Sequence, residues 1–144
     1  MKTKKNSKTK KGIIDVYYNE IYEVYLVVAN KDVTLKQLQN KYIYSDGTEL
    51  SEDVLSCCCA TTTCKDKNTD AVVILVKYNH ESHDKTRNRR TDLINVISHE
   101  ATHVALDIYE MCGQNVCFCS PEPFCYLQGW AAECIYKTLT KWTK

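Results

Sequence analysis

The segment "AVVILV", Ala71 to Val76, constrains the fold more than any other stretch of this sequence. Side chains alternate across a strand, so an unbroken apolar run needs cover on both faces or nearly so. The run is short and rich in β-branched residues, which favours a strand over a helix. "KNTD" precedes it and the charged loop "ESHDKTRNRR" follows. The whole chain has 144 residues, enough for one domain with a modest core around such a strand.

Other strands are predicted upstream. "IIDVYYNEIYEVYLVVANKD" is rich in β-branched and aromatic residues and reads as two strands, or one long bent strand, broken at Asn19-Glu20. In "VTLKQLQNKYIY", Val33, Leu35 and Leu38 mark a short helix with Asp32 or Thr34 as its cap. "SDGTELSED" is a turn, because Asp46-Gly47 supplies the positive φ that tight turns need. "SCCCATTTCKD" reads as the strand that precedes "KNTD".

Two helices close the chain. From about Asp92 to Cys112, Leu93, Ile97, Val104, Ile108 and Met111 form an apolar stripe that Gly113 ends. A last helix begins near Ser120 as cap, with Pro121 at the first helical position, and runs to about Lys141. The expected class is α+β: a small, mostly antiparallel sheet of about three to five strands packed on helices. The domain is residues 13–144, behind a basic tail at 1–12.

That tail, "MKTKKNSKTKKG", holds six lysines and no acid. It reads as disordered and solvated, with weak adhesion to an anionic surface or nucleic acid as the alternative. The net charge of the chain is only +1, which gives no general reason to propose nucleic acid as a partner. The tail has no apolar h-region, and no run of about 18 apolar residues follows, so a cytoplasmic location without a membrane span is expected.

Nine cysteines are many for this length, and Cys57, Cys58 and Cys59 are consecutive. Neighbours on a strand point to opposite faces, which suits a disulfide ladder poorly. Most are read as reduced, buried thiols acting as small hydrophobes. Cys112, Cys117, Cys119 and Cys125 are the group to weigh for a structural zinc, although their spacing lacks a CxxC pair.

The chemistry concentrates in "ISHEATHVALDIYE". Four residues along a helix turn about 400° and rise about 6 Å, so His99 and His103 stack on one face. Two imidazoles so placed can hold one zinc ion and leave a position for water. Glu100, about 100° round the helix, can reach that water as general base. The plainer alternative puts both histidines on a solvated polar face. A third ligand is needed, and Glu122 lies 19 positions after His103 in the first turn of the next helix. Glu122, Tyr126, Gly129 and Glu133 share one face of that helix, and Glu133 is the rival ligand. Glu122 also suits the helix dipole at that end. Tyr126 is the candidate donor to a developing oxyanion, ahead of Tyr109, although packing is an ordinary role for either. His80 and His83 can serve as accessory groups or simply as loop histidines. "RNRR" at 87–90 can receive an acidic substrate or phosphate, or be a solvated loop.

HExxH on one helix with a glutamate early in the next resembles the gluzincin class of zinc metallopeptidases, of which thermolysin is the familiar member. "HEATHVALD" is similar to that class in its acidic residue four after the second histidine, which implies that Asp107 orients a ligand or braces the helices. With "EPFCYLQGW" following the motif, residues 70 to 142 look like the small HExxH proteins of phage and bacterial genomes. The resemblance implies Zn2+ held by His99, His103 and Glu122, with Glu100 as base. It also implies a zincin core in which Ala71 to Tyr78 forms the edge strand that binds an extended peptide. The expected function is a zinc-dependent hydrolase, a peptidase of narrow specificity acting on one peptide or protein substrate. The alternative is a zinc-stabilised module that binds a peptide at a sheet edge without cleaving it. A third possibility is that the HExxH is fortuitous.

Overall fold

The computed structural model describes residues 12–52, 59–78 and 89–141. Five strands and three helices are built from them. Strands β1 (Ile14–Asn19) and β2 (Val24–Asn30) form an antiparallel hairpin. The break falls where the sequence places it: the Asn19 side-chain oxygen accepts from the backbone N–H groups of Ile21 and Tyr22, at 3.0 and 3.1 Å. Helix α1 (Leu35–Gln39) follows, and Thr34 is its cap. Gln37 answers from inside the helix, completing a reciprocal capping box. Strand β3 (Tyr42–Tyr44) leads into the turn at Gly47, whose φ is +86°. Strands β4 (Ala60–Cys64) and β5 (Thr69–Val76) pair antiparallel around the predicted turn.

The sheet order is β1-β2-β5-β4-β3. All pairings are antiparallel except the central one, where β2 and β5 run parallel with Leu26 opposite Val72 and Val28 opposite Ile74. Two expectations meet this arrangement differently. The "AVVILV" run is indeed buried throughout. The edge-strand role drawn from the resemblance is not met, because β5 lies between β2 and β4; the edges are β1 and β3. A run apolar on every residue belongs in the interior of a sheet, where both faces are covered.

The two faces bury different partners. Val24, Leu26, Val28, Val72, Ile74 and Val76 point to helices α2 (Arg89–Met111) and α3 (Glu122–Thr140). Val27, Ala29, Val73 and Leu75 point the other way, to Val33, Leu38 and Leu50. In α2 the predicted stripe holds at Ile97, Val104 and Ile108, with Leu93 and Met111 only partly buried, and Ala101 and Ala105 complete the contact. These small residues let the helix lie close to the sheet. Gly113, at φ +65°, ends α2. Gln114 N–H donates to Tyr109 C=O and Gly113 N–H to Glu110 C=O, the double bond of a Schellman motif. Helix α3 starts one residue later than predicted: Pro121, not Ser120, occupies the cap position, without a side-chain bond. It is tied to β1 by a hydrogen bond of 2.9 Å between the Thr138 and Tyr17 hydroxyls. No helix among the described residues is long and apolar enough to cross a membrane.

Candidate metal centre

Helix α2 turns its apolar stripe to the sheet, which leaves His99 and His103 on the side away from the core. Their Nε2 atoms lie 3.1 Å apart, with ring centroids at 4.7 Å and the rings inclined at 74°. Two nitrogens on one tetrahedral zinc, each at about 2.0–2.1 Å, stand about 3.3 Å apart. The imidazole pair therefore fits a shared ion with little movement, and without one it fits an N–H donated from one ring to the other.

Glu100 follows His99 and is half-buried. Burial raises its carboxyl above the usual range, and the neighbouring His99 and His103 draw it back down. A base held less acidic than a solvated glutamate takes a proton more readily at neutral pH. Asp107, one turn beyond His103, is also half-buried. Burial raises its carboxyl, the Cys59 thiol and His103 oppose the shift, and Glu110 adds to it. The Cys59 Sγ stands 3.0 Å from Asp107 Oδ2 and donates to it, joining the start of β4 to α2.

Helix α3 packs antiparallel to α2. Two contacts set its register: Tyr109 meets Phe124 edge to face at 5.3 Å, and Gln128 Nε2 donates to Thr102 Oγ1 at 2.7 Å. Glu122, two residues before Phe124, stands opposite the last turn of α2, about 10 Å along the axis from the level of His103. Glu133 comes near the level of His99 but forms an exposed ion pair with Lys137 one turn on. Tyr126 is 76% exposed and lies about 200° round α3 from Gln128, away from α2. Tyr109 is buried, its ring between those of Tyr22 and Phe124, which is a packing position. The structure thus brings His99, His103 and Glu100 together and does not bring Glu122, Glu133 or Tyr126 to them.

His80, His83, Arg87 and Asn88 lie outside the described residues, as do Cys57 and Cys58. Arg89 and Arg90 open α2. Cys112, Cys117, Cys119 and Cys125 are exposed free thiols, so the expectation of mostly buried cysteines is not met: among the described residues only Cys59 and Cys134 are buried, because these four sit in or beside the loop that joins the two helices. Among the described residues no three His, Cys, Asp or Glu side chains converge as a metal cage. An open depression of about 520 Å³ runs past the end of α2 from Leu106 to Val116, beginning one turn beyond the histidines.

Two groups at the centre escape sequence reasoning. Cys59 reaches Asp107 across 48 positions, and nothing in its local pattern marks it. Thr102 and Gln128 join the helices, and the spacing of Phe124 and Gln128, four apart on one face, is the signal that points to α2. No family model, curated protein or solved structure matches the chain.

Proposed function

We propose that this chain is a zinc-dependent hydrolase of narrow specificity, acting on a peptide or protein carbonyl. The observation that carries the reading is the convergence of the His99 and His103 Nε2 atoms at 3.1 Å, with the half-buried Glu100 carboxylate beside them. A bound zinc would supply Lewis acidity, polarising the carbonyl and making water a better nucleophile near neutral pH. His99 and His103 would hold the ion through their Nε2 atoms. Glu100 accepts the proton of the attacking water and passes it to the leaving amine. Asp107 braces the His103 turn against β4 through Cys59. The depression beyond Leu106 offers room for a substrate segment.

Glu122 completes the ligand set in this reading, as the gluzincin resemblance implies. Its turn must then move toward the histidines when metal binds. Pro121, Glu122 and Pro123 are exposed and no side-chain cap bond holds the helix start, but a movement of about 10 Å also requires α3 to change its register on α2.

The test is elemental analysis of protein purified without a histidine tag, followed by a peptide-library cleavage assay. One zinc per chain is expected, with most of it lost in His103→Ala. Full retention of zinc in that variant would remove the site. Stoichiometric zinc with no turnover, unchanged in Glu100→Gln, would instead favour a zinc-stabilised binding module.

A further inference from the structure

The two edges of the sheet are built differently. β3 is three residues long, follows Lys41 and ends in the turn at Gly47. A short edge strand with a flanking lysine resists pairing with another chain. β1 carries no such device. It runs six residues, Ile14 to Asn19, in unbroken register with β2, without proline, lysine or bulge. Its one charged side chain, Asp15, is held by the Lys141 Nζ, 2.7 Å from each carboxylate oxygen.

The register identifies the backbone groups left free. Asn30 N–H donates to Ile13 C=O at 3.0 Å. Hydrogen-bonded pairs alternate along an antiparallel ladder, so Asp15, Tyr17 and Asn19 turn their backbone groups to β2. Ile14, Val16 and Tyr18 turn theirs to the outer side, where none of the described residues bonds them. The side chains of the same three residues share the face away from α2 and α3, and Val16 and Tyr18 are 54% and 48% exposed. A row of unpaired amides and a row of exposed apolar side chains therefore lie on one strand.

We infer that β1 pairs antiparallel with β1 of a second copy of this chain, about a two-fold axis at Val16, so that two sheets become one. In that register Val16 faces Val16 of the other copy, and Ile14 of each faces Tyr18 of the other. All three residues with free backbone groups then exchange hydrogen bonds with their counterparts. The facing side chains are β-branched or aromatic, which favours such pairs. An axis at Asp15 would set two carboxylates directly opposite each other. An axis at Tyr17 would set Ile14 against Glu20, which lies outside the strand, and lose one of the three pairings. Charge also lets this edge meet its own copy: Lys141 neutralises Asp15, and Lys137, one turn before it on α3, pairs with Glu133. The pairing is self-complementary, as a two-fold interface must be. It does not depend on any metal, because α2 lies over β4 and β5 and both histidine pairs stay open.

Sedimentation equilibrium of the full chain tests this. The mass is expected to reach twice the 16.6 kDa of one chain by about 100 μM, with slowed amide exchange at Ile14, Val16 and Tyr18. Val16→Lys and Val16→Glu, at an exposed position, should each give single chains, because each sets like charges on the axis. An equal mixture of the two should regain the double mass. Val16→Pro removes an N–H that bonds nothing within the ladder, so it should keep the hairpin and also give single chains. The inference is overturned if the unaltered chain stays single at about 100 μM, if the variants keep the double mass, or if mixing does not restore it. A single chain whose Ile14, Val16 and Tyr18 amides become protected only when an extended peptide is added would give the edge to a peptide, and would overturn the inference equally.

Discussion

Asp107 carries a burial cost that its contacts only partly offset. Its carboxyl is raised above the ordinary value, so the folded chain holds that proton more tightly than the unfolded chain does. The protonated form therefore favours folding, fully below the ordinary carboxylate range, and that contribution is lost as pH rises through the raised value. In metal-free protein, Asp107→Asn is expected to raise the melting temperature at pH 7. The gain should shrink as pH falls to about 4, where the aspartate itself is neutralised. Calorimetry at the two pH values checks this; a lower melting temperature at pH 7 would mean that the Cys59 and His103 contacts outweigh desolvation. Glu100 is shifted in the same direction by burial. Glu100→Gln keeps the shape but cannot accept a proton, so it should retain zinc and slow hydrolysis by about 10² or more. Loss of zinc in that variant would make Glu100 structural.

At the scale of elements, the pairing of α2 with α3 decides what the centre can become. The Gln128 to Thr102 bond is part-buried, and its loss in Gln128→Ala should cost about 1 kcal/mol in denaturant unfolding. Glu122→Ala and Glu133→Ala separate two states of that pairing. Severe weakening of zinc binding is expected for the first and little change for the second, measured by competition with a chromogenic chelator. The reverse result would mean that α3 keeps its register when metal binds and that Glu133 turns in. This register is also where sequence reading stops. The HExxH face, the Thr34 cap, the Gly113 stop and the buried "AVVILV" strand are legible because each rests on local spacing or a local φ. The level at which Glu122 meets α2 is set by Phe124 on Tyr109 and Gln128 on Thr102, pairs distant in sequence. Periodicity names the face of a helix, not its height against a neighbour. For the same reason the resemblance puts an interior strand at an edge: likeness to a core says nothing of which strands flank Ala71 to Val76.

For the whole molecule, the central strands carry the stability. Ile74 is fully buried beneath the helices, and Ile74→Ala should cost about 2–5 kcal/mol. Urea unfolding reads that loss directly, and a cost below about 1 kcal/mol would show that the helix layer collapses onto the gap. If metal bridges the helices, a chelator should lower the melting temperature of the loaded protein as well.

The parallel register of β2 and β5 also fixes an order in time. Leu26 pairs with Val72, 46 positions away, whereas β1 meets β2 across a short turn. Closing 46 residues costs about 1.4 kcal/mol more chain entropy than closing ten. The hairpin and the helices can form within microseconds, but the two halves of the sheet join only after that long closure. The joining step is thus the expected kinetic barrier. Val72→Ala should then slow refolding in stopped-flow measurements, while Tyr17→Phe, which removes only the hydroxyl tie to α3, should mainly speed unfolding. Until that step is complete, β2 keeps an unpaired apolar edge, and it is in this interval that the chain is most exposed to aggregation.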